Sequence, residues 1–174
     1  MKHVSARNCS FMVAAGALAL GWVAPTSALA AGLAQLPTLS ASLALEAAST
    51  AKEACLKTGF HVSVTVVDAA GVVLVTLRDD GAAPHTVSTS QRKAYTALSS
   101  RMPTSQAVKI LMANPDAFGM RQIDGFLLLS GGVPIKVGDA VVGAIGVSGG
   151  PGADSDEKCA AAGIGSIVAR LDAK

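Results

Sequence analysis

The fold of this chain follows from residues 60–78, which read FHVSVTVVDAAGVVLVTLR. The first run of this stretch alternates apolar and polar side chains and then becomes fully apolar, and a second apolar run follows. Alternation with a period of two and enrichment in β-branched residues are typical of strands. Because Asp68 to Gly71 contain residues that favour tight turns, we predict a hairpin of two antiparallel strands at 60–67 and 72–78.

The rest of the chain adds helices and further strands to this hairpin. Four helices are expected, at residues 40–57, 86–100, 105–113 and 153–171, with Ser40 and Thr104 as caps of the first and third. Three more short strands are expected, at residues 126–130, 133–137 and 140–148. Since short turns join neighbouring strands, the expected class is α/β (α+β), with helices packed on a mainly antiparallel sheet in one domain.

Residues 1–30 have the pattern of a cleaved secretory signal peptide. Lys2 and Arg7 precede an apolar run, and Ala28 to Ala30 form the small-x-small pattern that signal peptidase accepts. The apolar run is shorter than the roughly 20 residues that span a bilayer. We therefore expect a periplasmic or secreted protein whose mature form is residues 31–174, with no membrane span after cleavage.

Removal of that segment makes the remaining chain neutral. The whole chain has 14 Lys and Arg against 12 Asp and Glu, and the segment contains two basic and no acidic residues. A neutral domain gives no electrostatic reason to bind nucleic acid or an anionic membrane. Aromatic residues make up only 3% of the chain, which leaves few platforms on which sugars or bases could stack.

Two of the three cysteines, Cys55 and Cys159, remain in the mature chain. In an oxidising compartment an even number favours a disulfide, and the alternative is a pair of buried free thiols. The bridge would close a loop of roughly 100 residues, which stabilises a fold by about 4–5 kcal/mol in the chain-entropy model. We expect it to join the first helix to the last.

Two long motifs resemble the GlcG/HbpS family. The first is VTVVDAAGVVLVTLRDDGAAPHTVSTSQRKAYTALSSRMPT at residues 64–104, and the second is GGVPIKVGDAVVGAIGVSGGPGADSDEKCAAAGI at residues 131–164. With the first helix, the resemblance covers about residues 36–171. It implies a profilin-like or PAS-like layer fold with a five-stranded antiparallel sheet, and a homo-oligomer, often an octamer. Some relatives bind haem outside the cell and act with a sensor kinase, whereas others have no settled function.

The resemblance directs attention to residues that could contact haem. His85, in the loop before the second helix, could be the axial ligand of haem iron, or a surface or helix-capping histidine. Tyr95 could supply a tyrosinate ligand beside Arg92, three residues earlier, or could pack on the sheet. Arg92 and Lys93 could bind haem propionates or form a solvated helix face. His61 is interpreted as a strand-edge residue with a local hydrogen bond.

The remaining motifs give no positive case for catalysis. The sequence contains neither G-x-S-x-G nor H-E-x-x-H. Gly149 to Gly152 precede the last helix, but no Gly-Lys-Ser or Gly-Lys-Thr follows, so a close-packed turn is favoured over a phosphate loop. Three acidic residues, Asp154, Asp156 and Glu157, are expected in the first turn of that helix, where they suit its dipole.

These observations favour an exported haem-binding protein that acts in haem sequestration, delivery or sensing. Two alternatives stay open. One is an accessory factor or enzyme for a small metabolite such as a hydroxy acid. The other is a regulatory binding module for a partner such as a sensor protein.

Overall fold

The computed structural model describes residues 34–171, and the predicted signal peptide lies outside them. The compact unit to which nearly all of them belong begins at Gln35. Its elements are α1 (Ala41–Leu56), β1 (Ser63–Asp68), β2 (Val73–Arg78), α2 (Thr86–Ser100), α3 (Thr104–Ala113), a 3-10 helix (Pro115–Gln122), β3 (Gly132–Val137), β4 (Ala140–Ser148) and α4 (Ala153–Leu171).

The ends of the helices follow from local chemistry. The Ser40 hydroxyl accepts a hydrogen bond from the backbone N–H of Leu43 at 3.4 Å, which caps α1 as predicted. The predicted cap of α3 is wrong, because Pro103 holds the N-cap position and Thr104 is already helical. The Thr104 hydroxyl instead links α3 to β3, since it accepts a hydrogen bond from the backbone N–H of Gly132 at 2.9 Å.

The sheet has four antiparallel strands in the order β2-β1-β4-β3 within the described residues. The predicted hairpin is confirmed, with Ser63 paired to Arg78. The fifth strand expected at 126–130 does not form. Its backbone groups pair with side chains of α2 rather than with a strand, since the Leu127 N–H donates to the Thr96 hydroxyl at 2.8 Å.

Helices cover both faces of the sheet. On one face, α1 and α4 pack against each other and against β1 and β4, with a core of small side chains such as Ala47, Ala51 and Ala160. On the other face, α2 packs over β1 and β4, where Ala94 and Ala97 cluster with Val67 and Ala144. The low aromatic content of the chain suits this arrangement, because small side chains let the helices approach closely.

The predicted disulfide is present and fixes the layer of two helices. Cys55 of α1 is bonded to Cys159 of α4, with their Cα atoms 5.5 Å apart. Both cysteines are buried. From residue 34 to residue 171, no helix combines the length and the apolar character that crossing a membrane requires.

Candidate functional site

A cleft of about 730 Å³ opens beside the N-terminal half of α2. Its other walls are the segment before β1, the loop after β2, residues 127–130, and the loop that joins β4 to α4. Apolar side chains of Phe60, Leu127, Leu129 and Pro151 contribute to these walls. The volume lies within the range of ordinary small-molecule sites.

Three of the four predicted contact residues line this cleft, namely His85, Arg92 and Lys93. They share it because residues 85, 92 and 93 lie at helical spacing along the start of α2, as does the lining residue Thr89. The fourth, Tyr95, is not among the residues of its walls. The four candidates therefore do not form a single cluster.

His85 sits at the N-cap position of α2 but does not cap it. Its side chain makes no capping hydrogen bond, so the helix-capping alternative is wrong. Its backbone carbonyl accepts the hydroxyl of Thr89 at 2.7 Å, which ties this turn together without using the ring. The exposed imidazole is thus available to the cleft.

Arg92 and Lys93 are neighbours in sequence with different environments. Arg92 is exposed, and one of its guanidinium nitrogens donates to the backbone carbonyl of Phe126. Lys93 is only 2% exposed, and its ammonium donates to Asp156 Oδ2 at 2.8 Å and to the Val147 carbonyl at 2.9 Å. The interpretation of Lys93 as part of a solvated helix face is therefore wrong, because its charge is buried and already paired.

Asp156 connects this ion pair to the loop that forms one wall of the cleft. Its second carboxylate oxygen accepts from the backbone N–H of Gly150 at 2.9 Å. The neighbouring Glu157 accepts from the backbone N–H and the hydroxyl of Ser105, at 2.8 and 2.7 Å, at the start of α3. The acidic residues at the start of α4 thus bind particular donors in other elements, in addition to suiting the helix dipole.

Tyr95 packs outside the cleft, against Phe126 and two turns. Its ring meets that of Phe126 edge to face, with centroids 6.2 Å apart. A Cβ added at Gly71 or Gly125 would stand 3.0–3.1 Å from the ring, so two glycine turns pack directly against it. The ring thus packs against Phe126 and these turns, and Tyr95 stays 36% exposed.

Sequence reasoning undervalued His61, which also lines the cleft. Its Nδ1 is hydrogen-bonded to the carboxylate of Asp79, whose other oxygen lies 3.4 Å from the ammonium of Lys52. The hydrogen bond from His61 is the main reason why the pKa of the Asp79 carboxyl lies below its ordinary value; burial opposes this shift and Lys52 adds to it.

The contact between His61 and Asp79 could have been predicted from the hairpin. Residues 61 and 79 are far apart in sequence, but the register that pairs Ser63 with Arg78 brings both strand ends to one edge. The Asp79 N–H also donates to the Val62 carbonyl at 3.0 Å. Across residues 34–171, no group of three or more His, Cys, Asp or Glu residues is arranged to hold a metal ion.

Comparison with known protein families shows to which family the chain belongs. A family model described as "Haem degrading protein HbpS-like" matches residues 39–165. The chain belongs to this HbpS-like family. The resemblance found in the two sequence motifs is thereby confirmed, and these motifs cover both the hairpin and the loop between β4 and α4.

Two proteins illustrate how similar other members are. Protein GlcG of Escherichia coli strain K12 is 33% identical over 110 residues, which cover 63% of this chain and 81% of GlcG. The crystal structure of a double mutant of HbpS from Streptomyces reticuli is 44% identical, with a TM-score of 0.75. That match covers 83% of this chain and 97% of the HbpS chain.

A more distant structure shares the fold of this HbpS-like chain. It is the crystal structure of a PduOC–haem complex, 23% identical, with a TM-score of 0.67. The match covers 75% of this chain and 95% of the PduOC chain. At this identity the likeness concerns the fold alone.

Proposed function

We propose that this HbpS-like protein binds haem in the cleft beside α2. The observation that carries the proposal is the meeting of two imidazoles, His61 and His85, with the guanidinium of Arg92 in one partly apolar cleft. The description of the family as haem-degrading and HbpS-like supports the same ligand.

The donor set of the cleft fits haem. The iron of haem takes an imidazole as axial ligand, and its propionates pair with guanidinium groups. His61 and His85 offer imidazoles, and Arg92 offers guanidinium donors beyond the one used on Phe126. Lys93 does not fit a propionate role, because its charge is compensated by Asp156. The iron supplies coordination and redox chemistry, whereas the chain supplies the ligand, the cation and the apolar wall.

Sequestration, delivery or sensing of haem outside the cytoplasm is the proposed role. Support comes from the signal-peptide pattern of residues 1–30 and from the Cys55–Cys159 bridge, which suits an oxidising compartment. Incubation of the bound complex with a reductant in air separates this role from degradation. Retention of the haem absorption band is expected for a carrier, whereas its bleaching would indicate turnover.

A matched pair of variants tests the location of the site. Thr89 lines the cleft and Ser88 does not, yet both hydroxyls donate to the same His85 carbonyl. We expect Thr89→Trp to weaken hemin binding by at least about tenfold, or about 1.4 kcal/mol, because the indole fills the cleft. Ser88→Trp should leave the affinity unchanged. Titration of hemin into the mature domain, followed at the Soret band, measures both.

Two outcomes of this titration would contradict the proposal. Failure of the unaltered protein to give a saturable Soret shift would remove haem as the ligand and return attention to a small anionic metabolite. Equal affinities of the two variants would place haem binding outside the cleft.

A further inference from the structure

We propose that His61, held by Asp79, is the imidazole that coordinates haem iron in this cleft, and that His85 is not the ligand. This inference rests on the function proposed above. The sequence pointed to His85 because it lies in the loop before α2, where an imidazole could reach the face of a haem. The two rings differ in how the fold holds them, and that difference is the basis of the assignment.

The hydrogen bond to Asp79 fixes which nitrogen of His61 can bind a metal. An ionised carboxylate only accepts hydrogen bonds, so the proton of the neutral ring lies on Nδ1 and the free electron pair on Nε2. Over residues 34–171 the Nε2 atom forms no hydrogen bond with the protein, so this electron pair stays available to a ligand.

The ring of His61 is also held by its neighbours. It lies against Gly81, where an added Cβ would stand 2.7 Å from the ring Cγ. A glycine is therefore required at position 81 for the ring to keep this position. Asp79 is itself tied to α1 through Lys52 and, by its backbone N–H, to the Val62 carbonyl just before β1, so the carboxylate that orients the ring has its own supports.

An oriented imidazole makes the better ligand. Metal-binding histidines usually donate their second ring N–H to a carboxylate or carbonyl, which sets the tautomer and raises the basicity of the ligand. His61 has this arrangement. Both histidines are exposed, but no side-chain hydrogen bond orients the ring of His85 within the described part of the chain. Ordering that free side chain on iron would cost conformational entropy that His61 has already lost.

Spectroscopy of the hemin complex separates the two histidines. His61→Ala, His85→Ala and the unaltered mature protein are titrated with hemin and compared by Soret position, visible bands and electron paramagnetic resonance. We expect His61→Ala to lose the imidazole-ligated spectrum and at least about tenfold in affinity. His85→Ala should retain both. Added free imidazole should restore the ligated spectrum of His61→Ala, which shows that the variant is folded and its cleft intact.

Asp79 provides a second, independent readout. Asp79→Asn keeps the shape of the side chain but weakens its acceptance of the Nδ1 proton, so the ligand becomes less basic. We therefore expect the Fe(III)/Fe(II) midpoint potential of the complex to rise in Asp79→Asn and to stay unchanged in His85→Ala. A purely structural role of Asp79 would not move the potential while the spectrum stays imidazole-ligated.

The possible results distinguish a wrong choice of ligand from a wrong proposed function. An imidazole-ligated spectrum that survives in His61→Ala and disappears in His85→Ala would overturn this inference and leave the haem proposal standing. Survival in both single variants would also overturn it, because another group would then hold the iron. Absence of saturable hemin binding by the unaltered protein would instead remove the proposed function itself.

Discussion

The ion pair of Lys93 and Asp156 sets the local structure of the cleft at the scale of single residues. Both side chains are at most 5% exposed, and they join α2 to the first turn of α4. The sequence offered Lys93 as a haem-propionate partner or as part of a solvated helix face, whereas the structure buries its ammonium beside Asp156. The sequence could not predict the pairing, because a helical pattern does not reveal which side chain of a distant helix lies opposite.

Breaking this pair should destabilise the protein strongly. Lys93→Met leaves the Asp156 carboxylate buried without its cation, and we expect a loss of about 3–5 kcal/mol in the free energy of unfolding. Urea unfolding followed by circular dichroism measures it. The double variant Lys93→Met with Asp156→Leu should recover part of that loss, since no unpaired charge remains. Equal destabilisation by the single and double variants would contradict this account of the pair.

At the scale of elements, the sequence predicted the helices and the central hairpin better than the last part of the sheet. The helix boundaries agree to within a residue or two because caps and turns are local signals. Residues 126–130 carry an apolar run typical of a strand, yet Thr96 and Arg92 of α2 bind their backbone. A local pattern cannot distinguish these side-chain partners from a neighbouring strand.

Two glycines of α4 test the close packing of the two helices on one face of the sheet. A Cβ at Gly163 would stand 2.3 Å from the Ala47 carbonyl oxygen of α1, whereas one at Gly165 would meet nothing within 4 Å. We expect Gly163→Ala to destabilise the fold by about 1–3 kcal/mol through overpacking. The matched control Gly165→Ala should raise stability by up to about 1 kcal/mol, because alanine favours the helix. Thermal unfolding compares them, and similar effects of both changes would refute the close approach.

At the scale of the whole molecule, the proposed export and the disulfide belong together. The bridge joins cysteines 104 positions apart and thereby links the first helix to the last. Its existence was predicted from the count of cysteines, but the haem site depends on contacts that only the fold brings together. The homo-oligomer implied by the family resemblance stays a prediction, and light scattering of the mature domain measures it.

Export makes a joint prediction about the mature protein. We expect protein recovered from the periplasm or medium to begin at Ala31 and to be lighter by a pair of hydrogens than its reduced form. Intact-mass spectrometry with and without reductant tests both statements. A chain that retains residues 1–30 would contradict cleavage, and two freely alkylated thiols in the unfolded, unreduced protein would contradict the bridge.

The central claim is that haem occupies the cleft beside α2. Hydrogen–deuterium exchange measured by mass spectrometry, with and without saturating hemin, tests it most directly because bound ligand slows exchange where it orders the backbone. The account predicts that protection concentrates in the segments 81–92 and 148–152, which contribute residues to the walls of the cleft. Protection confined to the turns at Gly71 and Gly125, which pack against Tyr95 outside the cleft, would contradict it.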